Sequence, residues 1–363
     1  MADESWAVAI AVGNQTALGT VNATIDGLSG SIDSSDGCVL GDGESGDAES
    51  GITLPDFVRV ARAVADVSGS FTAQASSFQR VDTQNLSITI QLKGNGELTD
   101  ATPAVGEASP LTATATEDQF DGVDALWQAA GLVGANGGAN VEYDYTPRIS
   151  STSPSTRYVT IKLWVADLSF TLMDCICESA VLTFPPGGTG LCTFNLRVGS
   201  VYAAADGVTF PTIDYGSQAS LSAPIVQAVA HSWSSTKGFR EMTLTIDQGI
   251  EEIADANQAT GVRLVQGDRT FTLDGAIFID TADSDFDYAN LSGSTAPTAD
   301  LSFTVGTVST VENDVNNAYI VECNNVEHQS IKYNREGTVT VVEFSGAKCT
   351  ATVAGGEFTF VYA

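Results

Sequence analysis

Basic residues are the scarcest charged groups in this sequence of 363 residues. It contains 15 Lys and Arg against 45 Asp and Glu, which gives a formal net charge of −30. A surface with this charge repels polyanions, so ordinary binding to the backbone of DNA or RNA is excluded. Charged residues nevertheless make up only 17% of the chain and hydrophobic residues 43%. This composition differs from that of disordered acidic tails and predicts folded domains.

Long apolar runs and export signals are also lacking. No stretch approaches the roughly 18 apolar residues of a membrane-spanning helix, so we expect no membrane association. Met1–Glu4 includes two acids where a secretory signal needs bases, and we therefore expect reduced cysteines. Cys175 and Cys177 invite a metal-site interpretation, but no second cysteine pair accompanies them. On one face of a strand they are better interpreted as small buried side chains.

Residues that commonly carry enzymatic chemistry are few. We interpret the two histidines, His231 and His328, as surface or hydrogen-bonded residues rather than general bases. Neither a Gly-x-Ser-x-Gly motif nor a phosphate-binding loop occurs. The number of carboxylates alone does not exclude a catalytic pair of the glycosidase kind. The densest cluster, 283–287, is better interpreted as a solvated loop. The sequence predicts a protein that is not an enzyme, with no catalytic residue, cofactor or metal site.

The most abundant pattern is the alternation of apolar and polar residues that is typical of strands. In residues 85–92, Leu and Ile side chains fall on one face and Ser, Thr and Gln on the other. The Pro-Pro-Gly-Gly sequence at 185–188 predicts a hairpin turn between Ala180–Phe184 and Leu191–Val198. Further alternating runs are Tyr158–Leu172, 240–247, 261–265, 270–280, 301–308, 318–323, 337–344 and 357–362.

One segment, Phe120–Val133, has a helical period instead. Its apolar residues at i, i+3, i+4 and i+7 are Val123, Leu126, Trp127 and Ala130. This spacing predicts an amphipathic helix that packs on a sheet. We expect Asp118 or Asp121 to cap its start and Gly134 to be the left-handed residue after its end.

A change of composition predicts a domain boundary. Residues 202–224 are small and turn-forming, which divides the chain into a first domain, 1–205, and a second domain, 206–363. A repeat supports this division, because the alternating segments that begin at Asn85 and Glu241, 156 residues apart, match position by position in apolar and polar character. The sequence therefore predicts two related β domains.

The first domain contains a long stretch rich in Gly, Ser and acids, Ser29–Ser50. We interpret it as an exposed acidic loop. A calcium-binding loop is the alternative, because carboxylate oxygens are the ligands that Ca²⁺ prefers. The stretch does not match the spacing of an EF-hand loop or of a nonapeptide calcium repeat.

Short motifs follow one another in a particular order along most of the chain. They are Ala17–Thr20, Val67–Phe71, Leu126–Leu132, Tyr145–Pro147, Ser150–Ser155, Leu244–Gly249, Ala259–Gly261 and Gln266–Arg269. Their order resembles that of the major tail tube protein of long-tailed, non-contractile bacteriophages, although Ser29–Ser50 departs from the family pattern. The resemblance implies a mainly β fold made of two tandem tail-tube-like β-sandwich or partly rolled barrel domains, at least one of them with a packed α-helix.

The same resemblance implies a structural role. Subunits of this family self-associate into stacked rings with an acidic channel, through which linear double-stranded DNA passes during ejection without specific binding. Because the rings have sixfold architecture, a chain with two tube domains would form them as a trimer, with a hexamer as the alternative. Other tail proteins would be further partners. The location would be the tail of the virion, after synthesis in the cytoplasm of the bacterial host.

The acid excess fits such a channel, because basic clusters would release counterions from the DNA and slow its transit. Three copies would carry a formal charge of −90, three times −30. We expect the polar faces of the two matching strands to line the channel, and exposure to outside solvent is the alternative. The candidate residues are Ser87, Thr89, Gln91, Glu241, Thr243, Thr245 and Asp247. The alternative function is that of a β-sandwich capsid-decoration or adhesin-type binding protein.

Overall fold

Strands dominate the computed structural model, so the prediction of a mainly β fold is confirmed. The structure describes residues 8–15, 17–21, 31–32, 52–53, 59–62, 77–81, 84–92, 96–97, 121–136, 143–149, 158–165, 167–208, 212–213, 223–227, 229–232, 239–257, 262–279, 298–307, 315–351 and 355–362. The described strands do not close into a barrel.

The elements follow one another along the chain as 24 strands with one α-helix among the described residues. They are β1 (Val8–Asn14), β2 (Ser31–Ile32), β3 (Ile52–Thr53), β4 (Arg59–Arg62), β5 (Ser77–Val81), β6 (Gln84–Gln91), β7 (Gly96–Glu97), α1 (Asp121–Ala129), β8 (Leu132–Asn136), β9 (Tyr143–Pro147), β10 (Val159–Val165), β11 (Leu168–Phe184), β12 (Leu191–Val198), β13 (Ser200–Ala205), β14 (Thr212–Ile213), β15 (Ala230–His231), β16 (Phe239–Asp247), β17 (Glu251–Ala254), β18 (Val262–Val265), β19 (Thr270–Ile279), β20 (Thr298–Thr307), β21 (Val315–Glu327), β22 (Ser330–Glu336), β23 (Val339–Cys349) and β24 (Phe358–Tyr362).

Two antiparallel arrays carry most of the pairing. The central sheet has the strand order β3-β6-β12-β11-β16-β19-β23-β22. The second sheet has the order β15-β20-β21-β24-β9-β8. The two arrays join where Val326 of β21 pairs with Cys349 of β23. The predicted hairpin is confirmed, because β11 and β12 pair on either side of the Pro185–Gly188 turn.

The 17-residue strand β11 has different neighbours along its length. Its first half pairs with β10 and β13, and its second half pairs with β12 and β16. A register shift between Cys177 and Ser179 separates the halves, and such a bulge bends a strand and increases its twist. Beyond Gly199, β13 continues the course of β12 alongside β11.

The main core includes side chains from both sides of residue 205. Ile88 and Phe194 precede this position and Leu244 and Phe360 follow it, and all four are fully buried in the same cluster. β11 and β16 also pair across it. One core and one paired sheet therefore extend over both predicted domains. The division into domains 1–205 and 206–363 remains a prediction.

The predicted helix forms, but it is shorter than the sequence pattern suggests. α1 ends at Ala129, and Gly131 has the left-handed φ of +80° that we expected at Gly134. The expectation for Gly134 is wrong because Leu132 already begins β8, where apolar residues 132 and 133 pair with β9.

α1 covers an aromatic cluster, as expected for a helix that packs on sheets. Trp127 is fully buried, and its ring stacks on Phe360 at a centroid distance of 5.0 Å and meets the edge of Phe194 at 5.1 Å. The indole Nε1 donates a hydrogen bond to Tyr362 Oη at 3.0 Å. The indole therefore contributes apolar burial without leaving its polar atom unsatisfied.

The C-terminus of α1 is held by polar side chains from distant strands. Arg269 Nη1 donates to the carbonyl of Gly131 at 2.7 Å, and Arg269 Nη2 donates to the carbonyl of Arg148 at 3.2 Å. The buried Gln248 donates to the carbonyl of Ala130 and accepts from Gln266. Burial lowers the pKa of Arg269, but a guanidinium at this end also complements the helix dipole. We call this group the helix latch.

We expect Gly131→Ala to loosen the helix latch. A Cβ there would lie 2.6 Å from Gln248 Oε1 and 2.9 Å from Gln266 Nε2, in a left-handed backbone. The free energy of unfolding should fall by about 3 kcal/mol from strain and overpacking together.

Gly187→Ala is the matched control, because Gly187 has a similar φ of +74° and no atom within 4 Å of the place that a Cβ would take. It should cost about 1 kcal/mol, from backbone strain alone. Denaturant unfolding of both variants measures the difference, and equal losses would contradict a tightly packed latch.

Candidate functional site

The seven predicted channel-lining residues lie on one face of the central sheet. β12 and β11 stand between the two strands that carry them, and the register places Ser87 opposite Asn195, Asn195 opposite Ser179, and Ser179 opposite Asp247. The next row runs in the same way from Thr89 to Thr245. We call this surface the polar face. Its polar members are Asn85, Ser87, Thr89, Gln91, Ser179, Thr183, Thr193, Asn195, Arg197, Glu241, Thr243, Thr245 and Asp247, and the partly exposed Val181 and Leu191 lie among them.

Exposure separates the two sides of these strands. Asn85, Gln91, Glu241 and Asp247 are exposed, and the other members of the polar face are partly exposed. The alternate residues, such as Ile88 and Leu244, are fully buried in the core. The strict alternation of a strand therefore gives one apolar and one polar surface. That the polar face lines a channel remains a prediction, with exposure to outside solvent as the alternative.

Hydrogen bonds between neighbouring strands hold the short side chains of the polar face in place. The hydroxyls of Thr89 and Thr193 are 2.9 Å apart, and Asn195 Nδ2 donates to Ser179 Oγ at 3.0 Å. Such cross-strand pairs stabilise a sheet. They also satisfy part of the hydrogen-bonding capacity of this surface within the protein, which leaves less of it for a ligand.

The electrostatic character of the polar face is acidic. β6 carries no charged residue, whereas β16 contributes Glu241 and Asp247. The two bases of the strands β6, β12, β11 and β16 are both paired: Arg197 Nη1 lies 2.5 Å from Glu252 Oε1, and Arg240 Nη1 lies 2.5 Å from Glu336 Oε1. Arg197 Nε is also 3.5 Å from Glu178. No unpaired base in these strands offers an anion a partner.

Sequence reasoning missed the middle of this surface. Ser179, Thr183, Thr193 and Asn195 belong to the hairpin that the sequence did predict, and they follow the same polar period as the two matching strands. The signal was present in their alternation. What the sequence did not supply was the pairing of this hairpin with β6 on one side and β16 on the other.

The prediction that Cys175 and Cys177 are small buried side chains is confirmed. Cys175 and Cys177 are fully buried, and burial raises the pKa of both thiols, which disfavours the thiolate that binds metals. Within the described residues no group of three or more His, Cys, Asp or Glu side chains is arranged to hold a metal ion. Apart from β2, the stretch Ser29–Ser50 lies outside the described residues, as does the carboxylate cluster 283–287, so the calcium-loop alternative stays open.

His328 is the described histidine with a defined environment. Of its two expected settings, a surface position is excluded, because the side chain is 7% exposed and its ring meets Phe344 edge-on at 5.4 Å, and the hydrogen-bonded setting stays a prediction. Burial lowers its pKa from 6.5 to about 4, since desolvation disfavours the charged imidazolium. His328 is therefore neutral at pH 7 and contributes to packing.

Comparison with known proteins adds no relative. No known protein family matches the chain, and no curated protein matches it either. Among the residues that the structure describes, none of the helical segments has the length and apolar character needed to cross a membrane.

The buried His328 predicts a pH dependence of stability. Its pKa is depressed in the folded state, so the unfolded chain binds the proton first as the pH falls, and stability is lost between about pH 6.5 and pH 4. Because a shift of one pKa unit corresponds to about 1.4 kcal/mol, the loss in the free energy of unfolding approaches about 3 kcal/mol.

The variant His328→Phe removes this titration while keeping an aromatic ring in the core. Denaturant unfolding at pH 7 and pH 4.5 should show a smaller loss for the variant than for the wild-type protein. Both proteins share all other titrating groups, so parallel pH profiles would show that His328 is not responsible.

Proposed function

We propose that this chain is the structural subunit of a bacteriophage tail tube, which assembles into stacked rings with an acidic channel for the passage of double-stranded DNA. The observation that carries the proposal is the polar face, a surface of Ser, Thr, Asn and Gln side chains with exposed acids and one paired base, Arg197, that extends over four paired strands. The order of motifs that resembles the tail tube family supports it independently.

The polar face has the properties that a passage for DNA requires. A long polyanion slides freely where no Lys or Arg displaces its counterions, because each such contact adds affinity. In the four strands the bases Arg197 and Arg240 are already paired with carboxylates. The hydroxyl pair Thr89 and Thr193 shows that neutral groups are satisfied within the sheet. DNA would therefore meet a surface whose exposed charges are acids and whose base, Arg197, is already paired with Glu252.

The ring stoichiometry follows from the predicted duplication. The two matching strands, β6 and β16, turn their polar residues to the same face of one sheet, separated by β12 and β11. Two tandem sandwich-like tube units, 1–205 and 206–363, fused along a shared sheet would have this arrangement. Three such chains supply sixfold architecture, and a hexamer is the alternative. In this proposal the rings stack in the virion tail, contact other tail proteins and are made in the host cytoplasm.

The first test is the state of association of the purified protein. We expect rings or pipes in negative-stain electron micrographs of concentrated samples, and a sedimentation mass that is three or six times 37.7 kDa. A protein that remains monomeric at every concentration would contradict the tube and favour the capsid-decoration or adhesin alternative.

The second test introduces a base on the polar face. Gln91 is exposed at the end of β6, and we expect rings of the Gln91→Lys variant to retain a short linear DNA duplex at low salt. Retention should fall steeply when salt is raised, as counterion release predicts. Glu241→Lys should retain DNA more strongly, because it also removes an acid. Asp247 is left unchanged because its Oδ1 accepts a hydrogen bond from the Gly249 amide at 2.8 Å.

Gln329→Lys is the matched control, since it makes the same chemical change at an exposed residue outside the polar face, in the turn between β21 and β22. Fluorescence anisotropy of labelled DNA measures how strongly each variant retains the DNA. Equal retention by Gln91→Lys and Gln329→Lys would show that the polar face does not line the channel.

A further inference from the structure

Two thiols of the core meet where β21 and β23 join the two arrays. The thiol of Cys323, in β21, and that of Cys349, the last residue of β23, share a hydrogen bond. Both side chains are buried in the main core, and both are free thiols. They come from strands that lie side by side, so each backbone fixes the position of its own sulfur.

A bulge in β21 brings the two cysteines to the same side of the sheet. Three steps along β21, from Cys323 to Val326, are matched by only two steps along β20, and Asn325 has a positive φ of 44°. The extra residue lets Cys323 and Val326 face the core together, and both are fully buried. Cys349 pairs with Val326 and is therefore the diagonal neighbour of Cys323 on the buried face.

Polar contacts hold the end of β23 against this bulge. The amide of Thr350 donates a hydrogen bond to the carbonyl of Asn324 at 3.1 Å. The hydroxyl of Thr350 donates to the carbonyl of Asn325 at 3.1 Å. Because Thr350 follows Cys349 directly, these bonds keep the backbone of Cys349 beside the strand that carries Cys323.

The two thiols differ in their access to solvent. Cys349 is 6% exposed, whereas Cys323 is fully buried. The hydrogen bond with Cys349, together with burial, raises the pKa of the Cys323 thiol. A sulfur attacks an oxidant as a thiolate that the oxidant can reach. Cys349 is therefore the thiol that reacts first, and Cys323 is placed to complete the reaction.

We propose that Cys323 and Cys349 form a disulfide bond when the protein meets a small disulfide oxidant such as oxidised glutathione. The thiolate of Cys349 attacks one sulfur of the oxidant and expels the other as a thiolate. Cys323, after losing its proton to solvent, attacks Sγ of Cys349 and expels the second thiolate. One S–S bond breaks, one forms, and the two protons of the protein thiols pass to the released thiols. The protein sulfurs close from hydrogen-bond contact to about 2 Å.

The bond would tie β21 to the end of β23. The loop that it closes, 323–349, contains both strands of the β22–β23 hairpin, and closing such a loop lowers the entropy of the unfolded chain. Cytosolic thiols are kept reduced, whereas virion surfaces are an oxidising setting in which disulfides persist. Oxidation after release from the host rests on the proposed function, while the bond itself does not.

Oxidation of the whole chain tests the bond. Cys38 lies outside the described residues, so a Cys38→Ser background leaves the five described thiols. One sample is incubated in its native state with oxidised glutathione, and another is refolded from denaturant in a glutathione redox buffer. The thiols that remain, counted in denaturant, should fall from five to three. Peptide mapping without reductant should link residues 323 and 349, and no such link by either route would overturn the inference.

The thermal unfolding temperature measures what the bond does. It should be higher in the oxidised than in the reduced protein by about 5 °C, and an equal or lower temperature would overturn the stabilising role. Cys192→Ala is the matched control, since it removes another fully buried thiol of the same core and should keep both the link and the rise. Cys349→Ala should lose both. A rise that persists in Cys349→Ala would overturn the assignment.

The disulfide and the tube fail in different ways. Rings that form from a protein in which residues 323 and 349 never link would overturn the disulfide and leave the tube standing. A linked and stabilised protein that stays monomeric at the highest concentration would support the disulfide and overturn the tube. A glutathione adduct that stays on Cys349 without reaction of Cys323 would overturn the disulfide alone.

Discussion

The pairing of β11 with β16 is the interaction on which the rest of the structure depends. It joins a strand from the first half of the chain to one from the second, from Ser179 opposite Asp247 to Phe184 opposite Met242. Without it the polar rows of β6 and β16 would belong to separate surfaces. The bulge between Cys177 and Ser179 lets the same strand leave the central sheet and join β10 and β13, so that β11 links the central sheet to these two strands.

The polar face shows how an alternating pattern separates stability from function. The buried side of these strands, with Phe194 and Leu244 at its centre, supplies the apolar contacts that stabilise the sheet. The other side is free of that requirement, so it can carry Thr and Asn side chains that bond to one another. A surface whose donors and acceptors bond to one another in this way leaves few of them for a passing ligand. In the proposed tube, this inertness would be the property that matters.

Local patterns predicted more of this structure than long-range pairing did. The sequence predicted the mainly β class, the turn at Pro185–Gly188 and the helix around Trp127, because each is encoded by neighbouring residues. It placed the end of the helix at Gly134 instead of Gly131, since both glycines fit the local pattern and the difference depends on the pairing of Leu132 with Pro147 of β9. The middle of the polar face could not be predicted, because strand order depends on contacts between residues about 100 positions apart, such as Thr89 and Thr193.

Self-association of a chain with a net charge of −30 must overcome repulsion between copies. At physiological ionic strength that repulsion is screened over about 8 Å, so the charges near the contact decide the outcome. Acids dispersed elsewhere would keep wrong surfaces apart. The charge excess that would keep the proposed channel from binding DNA would in this way also limit association at other surfaces.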